Sequence, residues 1–203
     1  MKFYDCTTAP SPRRVRMFIA EKGLSDQIET IEVNLRDAEQ LGDAFRAINP
    51  YCTVPVLELD DGSYLTESAV IIRYLEELNP TPPMVGETPL ERARIHEVER
   101  IADLGVIGSV ATIFQNTSPI FAGRVKQPAE AAEGARGRLA TARGAVDQKI
   151  GDKPCAAGAR PTIADCTLYA GVAFAQFAQV DVDPGFGNLL RWFGDFQKRP
   201  SAS

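Results

Sequence analysis

The sequence predicts an α/β domain over residues 1–80, a linker at 81–88 and an all-α helical domain over 89–203. Three observations predict this. Strand-like and helix-like patterns alternate up to residue 78 in the order β-α-β-α-β-β-α, which gives a mixed sheet. The stretch "NPTPPMVGETP" then breaks all periodicity. Beyond it no strand pattern recurs, and apolar residues return only at helical spacing.

The first domain begins with "KFYDC" (2–6), a short strand. After the turn "TTAPSP", residues 12–24 read as a helix with Val15, Phe18 and Ile19 on one face. Pro12 suits its first turn and Gly23 its C-terminal cap. "IETIEVNL" alternates as a strand, and "EQLGDAFRAINP" is a short helix stopped by Asn49-Pro50. "VPVLELDDGSYL" is a hairpin turning at Asp61-Gly62. "SAVIIRYLEELNP" is a helix ended by Asn79-Pro80. Pro80, Pro82, Pro83 and Pro89 stiffen the linker. Helices are expected near 89–115, 128–150, 161–180 and 185–198, with Gly134, Gly137 and Gly144 weakening the second. Thr162 followed by Asp165 is a capping-box pattern of purely structural value.

Composition narrows the function. Hydrophobic residues make up 44% and charged residues 24%, as in ordinary globular chains. The net charge of -5 and the lack of a basic stripe argue against nucleic acid. No apolar run approaches the ~20 residues of a membrane span, and "MKFYDCTTAP" lacks a secretory pattern. Cys6, Cys52, Cys155 and Cys166 form no Cys-x-x-Cys pair, and His96 is the one histidine, so no metal site is expected. Free thiols suit a cytoplasmic protein.

"VPVLELDDGSYLTES" (54–68) carries the chemistry. Pro55 cannot donate to a sheet ladder. It is either a trans proline on an edge strand or the second member of a cis bond, which would turn the Val54 N–H and C=O outward to pair with an extended peptide. Ser68 falls in the first turn of a helix, where free N–H groups and the dipole favour a carboxylate. Glu67 beside it offers an acceptor for an ammonium. The pair fits an α-amino acid head group; the alternative is a plain N-cap by Thr66 or Ser68.

"INPYCTVPVLELDDGSYLTESAVIIRYLEE" resembles the glutathione-binding core of the cytosolic glutathione transferases, of bacterial type. "SPRRVRMFIAEKGL" resembles their first helix, "RPTIADCTLYA" their C-terminal-domain capping motif and "NLLRWFGDFQKRPS" their last helix. The resemblance implies a thioredoxin-like first domain, a helical second domain, a homodimer and a cis Val54-Pro55 bond. It implies glutathione as co-substrate and a small hydrophobic electrophile as partner. The γ-glutamyl head group would meet Glu67 and Ser68, the cysteinyl backbone Val54, and the glycine carboxylate Gln40. The acceptor would lie between the domains, with Val110, Ile113 and Phe114 as candidates; core packing explains these three equally well. Many relatives continue past "RPSAS", so an open acceptor site is expected.

The family's chemistry needs a thiolate. Lowering a thiol pKa from about 8.5 by ~2 units takes about 2.7 kcal/mol. One charge-assisted hydrogen bond supplies roughly 1.5–3 kcal/mol and a helix N-terminus up to about 1–2. A hydroxyl or amide at the start of the first helix therefore suffices. Ser11 is the first candidate and Thr8 the second, while Tyr4 and Cys6 are expected to pack. Ala9 stands where serine-type classes place their serine. Arg13, Arg14 and Arg16 read as a solvated helix face rather than as a source of positive potential at the thiol, and His96 as a surface or interface residue. Two functions follow: a glutathione transferase, with disulfide or peroxide reduction as variants, or a non-catalytic binding or regulatory protein of the same fold, which Ala9 favours.

Overall fold

The computed structural model describes residues 1–202. It divides into a unit of Met1–Met84 and a second unit beginning at Val85.

The first unit runs β1 (Lys2–Asp5), α1 (Pro10–Glu21), β2 (Glu29–Glu32), a short 3-10 turn (Glu39–Leu41), α2 (Asp43–Ile48), β3 (Val56–Glu58), β4 (Tyr64–Thr66) and α3 (Ser68–Leu78). The sheet order is β2-β1-β3-β4. β1 pairs with β2 in parallel, Phe3 opposite Thr30, and with β3 antiparallel, Phe3 opposite Leu57. The β3–β4 hairpin sets Val56 opposite Thr66. Phe3, Val15, Phe18, Leu57, Ile71 and Leu75 are fully buried, drawn from both strands and helices. A smaller cluster of Val33, Phe45 and Val56 takes the side chains of Tyr4, Leu35, Ile48 and Val54. This is the thioredoxin-like α/β architecture.

α1 starts at Pro10, two residues before the expected Pro12. A proline costs nothing at the first helical position, because its missing N–H would be unpaired there. The Val54-Pro55 bond is cis, as is Thr81-Pro82 near the end of the first unit.

The second unit is helical: α4 (Pro89–Arg100), a π-helical segment (Ile101–Ile107), α5 (Gly108–Thr117), a 3-10 turn (Pro119–Phe121), α6 (Ala129–Ile150), α7 (Ile163–Phe177), α8 (Gly187–Phe196) and a last 3-10 turn (Pro200–Ala202). The helix expected over 89–115 is present, running without a gap from 89 to 117 with a π-helical stretch in its middle. At Gly105 a Cβ would stand 2.6 Å from that of Ala142, so the π segment and α6 meet where both side chains are minimal. α6 is unbroken despite its glycines. Ala135, Leu139, Val146 and Ile150 bury one face, and burial outweighs propensity. The capping box forms, and Asp165 does more than cap. One oxygen accepts from the Thr162 N–H and hydroxyl, both at 2.9 Å. The other accepts from Ala156 N at 2.7 Å and Trp192 Nε1 at 3.0 Å. Among the described residues no helix is long and apolar enough to cross a membrane.

Candidate functional site

Two helix N-termini carry the candidate residues, and both lie in the first unit. The loop leading into α1 is fixed from two sides. Glu32 accepts from the Thr7 amide and hydroxyl, each at 3.0 Å. Arg16 pairs with the buried Asp5 and donates to the Thr7 carbonyl at 3.3 Å. Burial pushes the Asp5 carboxyl up, against the opposing pull of Arg16.

The first turn of α1 has an unusual supply of donors. Pro10 and Pro12 have no N–H. The Arg13 N–H is taken by the Ala9 carbonyl at 3.2 Å. Ala9 makes no side-chain cap. Ser11 is left as the residue whose backbone N–H can meet an anion there.

A hollow of about 190 Å³ opens beside this turn, lined by Ala9, Pro10, Ser11, Pro12, Leu35, Gln40, Cys52, Thr53 and Val54. It brings together Ser11, Gln40 and Val54. Gln40 Oε1 is buried with no hydrogen-bond partner among the described residues. Strand pairing of β3 begins at Val56, so the Val54 peptide groups stay off the ladder. The cis bond expected at Val54-Pro55 is present, with Pro55 buried just before β3. Thr8 is outside this group: it is exposed, and its hydroxyl lies 3.6 Å from Cys6 Sγ. Tyr4 is occupied elsewhere. Its hydroxyl donates to Glu58 at 2.7 Å, and burial with that bond pushes its pKa up to about 12.

The second N-terminus is that of α3. Glu67, its N-cap residue, has φ 66° and ψ 113°, a backbone conformation that side chains other than glycine rarely adopt. No side chain caps the helix, so the plain N-cap by Thr66 or Ser68 is absent. Ser68 is only 2% exposed, and its Oγ accepts from Arg14 Nε at 2.8 Å.

Arg14 corrects the expectation of a solvated arginine face. It is 4% exposed, and Arg16 is held by Asp5. The sequence contained a signal for it: Arg14 stands four residues before Phe18, on the buried side of α1. Cys52 and Thr53 were missed as lining residues because loop positions have no periodicity to place them. Of the acceptor candidates, Val110 and Ile113 are core residues at 0% and 1% exposure. Phe114 instead joins an aromatic group with Phe121, Phe174 and Phe177, ring centres 5.5–5.6 Å from its own.

Known proteins resemble this chain in sequence and fold. The glutathione S-transferase N-terminal domain family matches residues 8–78, and the glutathione S-transferase C-terminal domain family matches residues 109–200. Glutathione S-transferase 2 of Saccharomyces cerevisiae is 34% identical, over 99% of this chain and 87% of its own. A maleylacetoacetate isomerase of Pseudomonas aeruginosa is also 34% identical, over 90% of this chain and 85% of its own. The crystal structure of a glutathione S-transferase domain-containing protein from Marinobacter aquaeolei superposes with a TM-score of 0.92 at 33% identity, covering 100% of both chains. The uncapped helix ends, the cis Val54-Pro55 bond and this full-length similarity agree: the chain belongs to the glutathione S-transferase family and is a glutathione transferase, with glutathione as its co-substrate.

Proposed function

We propose that glutathione binds along the first unit from the α3 N-terminus to Gln40, with its sulfur at the α1 N-terminus. The γ-glutamyl carboxylate takes the Ser68 N–H and hydroxyl, and its ammonium pairs with Glu67. The cysteinyl backbone pairs with Val54, next to Pro55. The glycine carboxylate takes the Gln40 amide N–H₂, while the buried Gln40 Oε1 accepts an N–H from the ligand. Ser11 donates to the sulfur, and Thr8 is the weaker alternative. One observation carries this reading: α3 begins uncapped behind a glutamate held at φ 66°. Such a backbone conformation costs of order 1–3 kcal/mol and persists at ligand clamps.

Ser11 offers two donors to a bound sulfur, the hydroxyl and the otherwise unpaired N–H. Each stabilises thiolate over thiol, and the helix dipole adds to both. The thiol proton passes to solvent. The thiolate then forms a C–S bond at an electrophilic carbon, and the leaving group departs with its bonding pair. The acceptor is a small hydrophobic electrophile, the protein a cytoplasmic homodimer, and the role detoxification. The same thiolate can attack a disulfide or peroxide. Similarity to a maleylacetoacetate isomerase adds glutathione-dependent isomerisation as a reaction to assay.

The test is turnover of an aryl halide and of a mixed glutathione disulfide, with calorimetry of glutathione binding. Turnover of either substrate supports the reading. Glutathione binding without any turnover would make this a binding protein, and neither binding nor turnover would overturn the site.

A further inference from the structure

We propose that Arg14 is a positioning residue of the head-group site, acting through Ser68, and that this contact sets the preference for a ligand carrying a carboxylate there. The inference rests on the proposed placement of the γ-glutamyl group.

A serine hydroxyl has one proton and two lone pairs. In this chain one lone pair of Ser68 Oγ is taken by Arg14 Nε at 2.8 Å. A guanidinium has no acceptor, so the hydroxyl proton cannot point back at Arg14. The proton is thereby left for an acceptor other than Arg14. Both residues are almost fully removed from water, at 4% and 2% exposure. Arg14 polarises the hydroxyl in a low-dielectric setting and makes it a stronger donor. A carboxylate arriving at Ser68 therefore meets a polarised hydroxyl and free helix N–H groups. A neutral group gains little from either.

The fold makes the contact reproducible. α1 and α3 pack against each other, and Val15, Phe18, Ile71 and Leu75 on them are fully buried. Arg14 lies next to Val15 in α1, and Ser68 stands three residues before Ile71 in α3. The packed interface thus fixes the spacing at which Nε meets Oγ.

The experiment compares binding of glutathione with that of an analogue whose γ-glutamyl α-carboxylate is replaced by hydrogen. The parent, Arg14→Gln, Arg14→Lys, Ser68→Ala and the Arg14→Gln/Ser68→Ala double variant are measured, and folding is checked by thermal melts. The parent should prefer glutathione by about tenfold or more. Arg14→Gln and Ser68→Ala should each lose most of that preference, with the analogue's own affinity nearly unchanged. The double variant should be little worse than either single one, because both remove the same contact. Arg14→Lys keeps the charge without the Nε geometry and should recover part of the preference. If Arg14→Gln does not fold, Arg14→Lys carries the comparison, and full parental preference there overturns the role of the Nε contact. An undiminished preference in a folded Arg14→Gln, or losses that add in the double variant, overturns the inference and leaves the head-group site standing. A parent that does not discriminate the two ligands overturns the head-group placement itself.

Discussion

The Lys22 ammonium lies 2.5 Å from the Glu76 carboxylate, and the Lys22 side chain is fully buried. Lys22 closes the C-terminal end of α1, and Glu76 lies in the last turns of α3. The same ammonium donates to the carbonyls of Asn79 at 2.6 Å and Pro82 at 2.5 Å. Glu76 Oε1 accepts from Met84 N at 3.0 Å. One buried cation therefore ties the two helices whose N-termini bear the candidate site to the proline-rich segment that follows. Its three acceptors offset its desolvation.

Removing only the cation takes the ammonium away from the buried Glu76 carboxylate. Lys22→Met should lower the stability of the first unit by about 3–5 kcal/mol. Changing Glu76→Gln as well, which keeps an acceptor for Met84, should recover part of that loss. Denaturant melts of the two single variants and the double variant give the coupling. Strictly additive losses would show that the pair does not act as one unit.

Glu67 separates binding from stability. At φ 66° a glycine relieves backbone strain, although it adds entropy to the unfolded chain. Glu67→Gly should thus leave stability equal or higher, while weakening glutathione binding by about 1–3 kcal/mol through loss of the ammonium acceptor. Ser68→Ala should weaken binding by a similar amount. Calorimetry beside thermal melts reads both quantities. Unchanged affinity in both variants would remove these residues from the site.

Much of this was legible in the sequence, for reasons that differ by element. Proline and glycine punctuation marked the hairpin at Asp61-Gly62 and the C-terminal end of α3 at Asn79-Pro80, because these residues restrict or free the backbone locally. The Thr162–Asp165 box was visible because capping needs fixed residue types at fixed spacing. Arg14 was misplaced because its charge suggested solvent, although its spacing to Phe18 put it on the buried side of α1; its partner Ser68, distant in sequence, is seen only in the fold. Within the π segment at Ile101–Ile107, Gly105 meets Ala142, a contact between distant parts of the chain. α6 persists against its glycines because one face is buried. Val110 and Ile113 show the converse limit: an apolar residue on a helix is equally compatible with core and with a pocket until the neighbours are known.

Tyr4 gives a pH signature. Its folded pKa is raised to about 12 from a usual 10.0 by burial and by its bond to Glu58. Below pH 10 the phenol is protonated in folded and unfolded chains alike and has no pH effect. Between about pH 10 and 12 the unfolded chain releases this proton first, so stability should fall across that window. The ultraviolet difference titration of the parent against Tyr4→Phe should show a phenol ionising near 12, and the variant should lose that part of the alkaline decline. A midpoint near 10 would show that neither burial nor the Glu58 bond acts on this phenol.

The central claim is that the α1 N-terminus, through Ser11, ionises the thiol of bound glutathione. The most direct measurement is the thiolate absorbance of the glutathione complex against pH, in the parent, Ser11→Ala and Thr8→Ala. The parent should titrate near pH 6–7, about 2 units below a free thiol. Ser11→Ala should raise that midpoint by about 1 unit, because roughly 1.5 kcal/mol of charge-assisted hydrogen bonding is lost while the backbone N–H remains. Thr8→Ala should match the parent. A parent midpoint near 8.5, as for a free thiol, would contradict the account, and a shift confined to Thr8→Ala would move the role from Ser11 to Thr8.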